Sequence, residues 1–156
     1  MGIFSSRDLR LGQERHLPMF FKNIPMTSIP KKACKILLVE DNDLYRSSLS
    51  ELLETLGYDV LALPDGFAFW QCLDKYKPDS ILLDLHLPTL DGFALMKKWQ
   101  TSLYCQIPIL ILSASESAEE RDRALALGAR QFLPKSITVR ELDRAIQSEL
   151  NNERSG

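Results

Sequence analysis

No apolar run in this 156-residue chain approaches the roughly 20 residues that a membrane-crossing helix needs. Paired cysteines are lacking too. Cys34, Cys72 and Cys105 are odd in number and too widely spaced for a zinc or thioredoxin-like site, so reduced thiols in a cytoplasmic protein are expected. The length leaves no room for a second large domain. What is present is an ordinary globular mixture, with 45% hydrophobic and 26% charged residues and a net charge of -2, which excludes disordered and collagen-like classes.

The charge is unevenly divided. Residues 1–34 carry six bases, Arg7, Arg10, Arg15, Lys22, Lys31 and Lys32, against two acids, so the rest of the chain is the more acidic part. These bases are scattered rather than clustered, and nucleic-acid binding is not expected. The same stretch holds Pro18, Pro25 and Pro30 and shows neither helical nor alternating periodicity. It reads as an N-terminal extension over 1–34, with the domain at 35–150 and a short tail at 151–156. The apolar cluster from Leu17 to Phe21 is too short for a secretory signal. Met1 to Ser6 fits a loose myristoylation pattern, read here as a chance match. Phe20 and Phe21 are expected to pack on the domain or to dock a partner.

From Lys35 onward, short apolar runs alternate with amphipathic stretches, as in repeated strand–helix units around a parallel sheet. Ile36 to Val39, Val60 to Leu63, Ile81 to Leu83, Ile107 to Leu112 and Gln131 to Leu133 are the strand candidates, nearly all apolar as strands covered on both faces should be. Leu49, Leu52, Leu53 and Leu56 share one helical face that Gly57 closes. Phe67 to Tyr76 and Phe93 to Gln100 predict two further helices, with Trp70 and Trp99 as packing residues. Ser117 with Glu120, and Thr138 with Glu141, predict capping boxes; Gly128 closes the helix opened by the first, and the second opens a helix with Val139, Leu142 and Ile146 inward. Right-handed crossovers then favour an α/β, doubly wound, five-stranded parallel sheet of order 2-1-3-4-5.

In such a sheet ligands lie beyond the carboxyl ends of the strands, at the switch point between the first and third. The first strand ends in Glu40 and Asp41, the third in Asp84, the fourth in Ser113, and Lys135 follows the fifth. Alone, an Asp at a strand end is usually a helix cap and a Lys a solvated charge; five chemically matched groups at the correct ends are hard to ascribe to coincidence. Converging carboxylates repel one another and suit a hard divalent cation, Mg²⁺ above all. No glycine-rich turn follows the first strand, which argues against a nucleotide cradle. With the cation in place a phosphoryl group becomes welcome. The metal and Lys135 neutralise it, Ser113 donates a hydrogen bond, and Asp84 is placed to act as nucleophile.

Ile36 to Asn42 (ILLVEDN), Ile81 to Gly92 (ILLDLHLPTLDG), Ile107 to Ala114 (IPILILSA) and Gly128 to Lys135 (GARQFLPK) together resemble the receiver domain of response regulators in two-component signalling. The resemblance covers about residues 35–150 and implies the flavodoxin-like receiver fold. It implies that Asp84 accepts a phosphoryl group from a phosphohistidine on a sensor histidine kinase or histidine phosphotransfer protein. Asp41 and the main-chain carbonyl of His86 would be further Mg²⁺ ligands, and Glu40 would act through metal-bound water. Ser113 and Lys135 would contact the phosphoryl oxygens, and Ser113 and Phe132 would form the switch that reshapes a protein-binding surface over about Ser117–Leu150.

There are departures from the family pattern. Pro usually follows the lysine, whereas Ser136 stands here and Pro134 comes before, so a trans Lys135–Ser136 peptide and an altered reach of the ammonium are expected. Phe132 lacks a tyrosine's hydroxyl, so burial alone would favour an inward ring; an ordinary core Phe is the simpler alternative. The His86 side chain could act as a base, block water or simply face solvent. Only Asn151 to Gly156 follow the last helix, so direct transcription control by an appended domain is not expected. The leading reading is a stand-alone receiver that signals by protein binding or phosphorelay. A degenerate, phosphorylation-independent receiver is one alternative. A small phosphatase with an aspartyl nucleophile is another, disfavoured because His86 stands where its second Asp belongs.

Overall fold

The computed structural model describes residues 33–155. The expectations for the N-terminal extension, including Met1 to Ser6, Leu17 to Phe21 and the six bases, fall almost wholly outside the described residues. Ten elements alternate: β1 Lys35–Val39, α1 Asp43–Thr55, β2 Asp59–Leu63, α2 Phe69–Tyr76, β3 Ser80–Leu83, α3 Gly92–Gln100, β4 Ile109–Ser113, α4 Ala118–Ala126, β5 Gln131–Pro134 and α5 Val139–Arg154. The five strands form one parallel sheet in the order β2-β1-β3-β4-β5, as expected.

Side chains alternate across a strand, so each strand feeds two cores. Leu37, Val39, Ile81, Leu83, Ile109 and Ile111 face α2, α3 and α4, where Phe69, Leu73, Phe93, Met96 and Trp99 close the layer. Ile36, Leu38, Leu82, Leu110 and Leu112 face α1 and α5, against Leu49, Leu53, Leu142 and Ile146. Each fully buried aliphatic side chain contributes about 2 kcal/mol relative to exposure. β3 and β4 are buried throughout, whereas the edge strands β2 and β5 are partly open. Among the described residues no disulfide joins Cys34, Cys72 and Cys105.

Glycine ends two helices as its conformational freedom dictates. Gly57 (φ 93°) and Gly128 (φ 102°) adopt the left-handed region, and the next amides, of Tyr58 and Ala129, bond back to the Leu53 and Ala124 carbonyls. Several expectations need correction. Leu52 is 44% exposed, because α1 buries only the narrow stripe of Leu49 and Leu53. Phe67 lies before α2 and is 84% exposed, its amide tied to Asp65 in a local turn. β4 begins at Ile109, since Pro108 has no N–H to give the ladder. Only half of the first capping box forms: Ser117 accepts from the Glu120 amide, but the Glu120 carboxylate points elsewhere. The Thr138–Glu141 box is complete, and α5 continues through Arg154.

Candidate functional site

The parallel ladder runs one residue beyond the central strands and thereby aims the acids. Glu40 N–H donates to Leu63 O at 3.0 Å and Asp84 N–H to Val39 O at 3.0 Å, which fixes both residues at the carboxyl end of the sheet. On the far side, Lys135 N–H donates to Ser113 O at 2.9 Å, so β4 and β5 set where the lysine leaves the sheet. The crevice between β1 and β3 then holds Glu40 (1% exposed), Asp84 (4%) and the exposed Asp41. One oxygen from each of the three lies within 4.8 Å of the others.

Lys135 Nζ enters this group as its counter-charge, 3.0 Å from Asp84 Oδ2 and 2.8 Å from Glu40 Oε2. Burial raises the Glu40 carboxyl above its usual range, an effect that the Lys135 hydrogen bond opposes. For Lys135 burial works against the charge, but hydrogen bonds to Glu40 and Asp84 outweigh it and hold the ammonium above its ordinary value. The remaining acceptor positions are met by backbone: His86 N–H donates to Asp84 Oδ1 at 2.9 Å and Asn42 N–H to Glu40 Oε1 at 3.1 Å. Among the described residues every peptide bond is trans, Lys135–Ser136 included. The ammonium nonetheless reaches Asp84 directly.

The structure thus brings Glu40, Asp41, Asp84 and Lys135 together. Ser113 is buried at the adjoining end of β4, with its hydroxyl accepting from Ser115 N–H at 3.0 Å. Phe132 is half-buried against the core on the α3–α4 side. The His86 ring is exposed, with Nε2 3.3 Å from the Glu120 carboxylate at the start of α4, an acid held below the usual range by a Ser115 hydrogen bond and by His86. Trp99 is buried and donates Nε1–H to Tyr104 O at 3.0 Å, while Trp70 is half-buried beneath Lys98.

Two contributors lie beyond the sequence expectations, both on α1. Tyr45 donates its hydroxyl to Lys135 O at 3.3 Å and sets its ring 5.1 Å from Nζ. Arg46 donates Nη1–H to Glu40 O at 2.9 Å and closes the turn after β1. A position three residues after Asn42 was a legible helix site; its partner 90 residues away was not.

Two buried acids and an exposed third form an all-oxygen donor set with too much negative charge for one ammonium to balance. Such a set fits a hard divalent cation. Glu40, Asp41 and Asp84 are the residues that could hold it.

The chain matches the response regulator receiver domain family over residues 36–147. The transcriptional regulatory protein QseB of Haemophilus influenzae is 33% identical over 114 residues, covering 73% of this chain and 51% of QseB. The gliding motility regulatory protein of Myxococcus xanthus is 31% identical over 153 residues, or 93% of this chain and 20% of that protein. This chain therefore spans about half of the first relative and a fifth of the second. The receiver domain of sensor histidine kinase PA1611 from Pseudomonas aeruginosa, solved with magnesium coordinated in its active site cleft, superposes with a TM-score of 0.70 at 30% identity, covering 77% of this chain and 99% of that one. The BeF3-activated receiver domain of Klebsiella pneumoniae RstA gives 0.70 at 28% identity, covering 74% and 97%. Matched by family, by relatives and by fold around one acidic crevice, the chain belongs to the response regulator receiver domains of two-component systems.

Proposed function

We propose that this protein accepts a phosphoryl group on Asp84 from a phosphohistidine of a sensor histidine kinase or histidine phosphotransfer protein. The observation that carries this reading is the Lys135 ammonium lodged 3.0 Å from the Asp84 carboxylate within a cluster of three acids. In the transfer an Asp84 carboxylate oxygen attacks phosphorus while the P–N bond breaks to a donor imidazole that is protonated on its other nitrogen; the bonding pair leaves with the ring, giving an aspartyl phosphate and a neutral histidine. Asp41, Asp84 and the His86 main-chain carbonyl would hold Mg²⁺, with Glu40 acting through metal-bound water. When bound, Mg²⁺ supplies charge neutralisation for phosphoryl oxygens that would otherwise face three acids. Lys135 would shift from the carboxylates to the incoming phosphoryl oxygen, and the Ser113 hydroxyl, which already accepts from Ser115 N–H, would donate its proton to another.

The new group brings about -1.5 to -2 charges beside the ends of β4 and β5. Ser113 turning toward it, and Phe132 turning inward, would reshape the surface over about Ser117–Leu150 that a downstream protein reads. The domain at 35–150 would work in the cytoplasm, by altered protein binding or by passing the phosphoryl group on. Its catalysis is confined to its own Asp84. Incubation with Mg²⁺ and a small acyl or amido phosphate should yield a base-labile phosphate, absent in Asp84→Asn, with a change in Trp fluorescence. A native chain that takes up no phosphate overturns the acceptor reading and favours a phosphorylation-independent binding module.

A further inference from the structure

Lys135 is the cation that pairs with the Glu40 and Asp84 carboxylates, and its place depends on a short segment, Lys135 to Thr138, between β5 and α5. Ser136 contributes no ring to stiffen that segment. On one side Lys135 N–H is tied to Ser113 O; on the other, Lys135 O receives the hydroxyl of Tyr45. The same tyrosine is half-buried and lays its ring against Nζ, at a distance where a cation and an aromatic face attract. Tyr45 itself stands on a rigid base. It is in the first turn of α1, with its amide donating to the Asn42 cap at 2.8 Å, and the neighbouring Arg46 is tied to the carbonyl of Glu40. The first helix, which carries no acid of the cluster, thus holds both ends of the lysine, main chain and ammonium.

From this we infer that Tyr45 is a positioning residue for phosphoryl acceptance, acting through Lys135. The inference rests on the acceptor role of Asp84 argued above. A long lysine side chain has many rotamers, and the fraction aimed at the phosphoryl group enters the rate directly. The hydroxyl fixes the root of that side chain and the ring limits its swing, so that Nζ moves only between the carboxylates and the phosphoryl oxygen. Nothing about Tyr45 requires contact with phosphate. Its effect should therefore vanish when there is no ammonium to hold.

The test uses the full chain as Tyr45→Phe, Tyr45→Leu, Lys135→Met and the Tyr45→Leu/Lys135→Met double variant. With saturating Mg²⁺ and a small acyl phosphate, Tyr45→Phe should slow phosphorylation by about fivefold, the worth of one ordinary hydrogen bond. Tyr45→Leu should slow it by more than Tyr45→Phe. In the Lys135→Met background Tyr45→Leu should cost nothing further, which a merely structural role would not produce. Hydrogen exchange of residues 134–138, measured without Mg²⁺ or phosphodonor, should quicken in both tyrosine variants. Equal slowing by Tyr45→Leu with and without Lys135, or unchanged exchange in the segment, overturns the proposal. If the native chain gains no phosphate while the exchange differences appear, the failure lies with the acceptor reading, and the positioning role falls with it.

Discussion

A methyl group added at Gly92 would sit 2.6 Å from Leu85 Cα and 2.8 Å from its carbonyl oxygen. Both are backbone atoms, so neither can swing aside, and the loop that starts at Asp84 must move instead. Gly92→Ala is therefore expected to cost about 1–3 kcal/mol, the usual price of overpacking, read as a lower urea midpoint with an unchanged slope. The same strain should slow phosphate uptake at Asp84, since the His86 amide that fixes Asp84 Oδ1 lies in that loop. The placement of single residues was largely legible in the sequence: Glu40, Asp41, Asp84 and Lys135 fall just beyond strand ends, where the fold brings them together. Tyr45 and Glu120 did not, because each acquires its meaning from a neighbour distant in the chain, Lys135 and His86 respectively. Apolar periodicity says where a side chain starts, not which polar group it meets.

At the level of elements, α5 is pinned to the rest of the fold by a buried polar knot. Tyr58, just after α1, donates its hydroxyl to Asp143 at 2.6 Å and accepts from Gln147 at 2.7 Å, both on α5. Burial first, and then the adjacent Asp143 carboxylate, push the Tyr58 hydroxyl far above its ordinary range. The unfolded chain ionises its tyrosines near about pH 10, whereas this one stays neutral in the fold. Its contribution is thus fully present below about pH 10 and is lost as pH rises beyond it. Urea midpoints should fall more steeply above about pH 10 for the native chain than for Tyr58→Phe, which has no proton to lose there. Element order and layering could be read in advance because strand and helix periods differ so plainly between Lys35 and Leu150. Boundaries shifted where local chemistry intervened. Pro108 delayed β4, an Asp65 turn delayed α2, and Glu120, drawn to His86 and Ser115, left its capping box half built.

Across the whole molecule, the carboxyl ends of β1 and β3 concentrate negative charge at one place, and relieving that charge should be felt globally. Mg²⁺ at about 100 times its dissociation constant is expected to raise unfolding free energy by about 2.7 kcal/mol. Asp41→Asn should lose most of that gain, and a chelator should reverse it, both seen as shifts in thermal midpoint. The opposite end of the strands has a separate consequence. Cys34, at the foot of β1, lies beside Arg154, at the far end of α5, with the guanidinium 3.9 Å from the thiol. Both ends of the described chain therefore depart together, and β1, rising about 3.3 Å per residue, separates them by its whole length from Glu40. A label attached at Arg154 would therefore sit at the amino-terminal end of β1, a strand's length from Glu40.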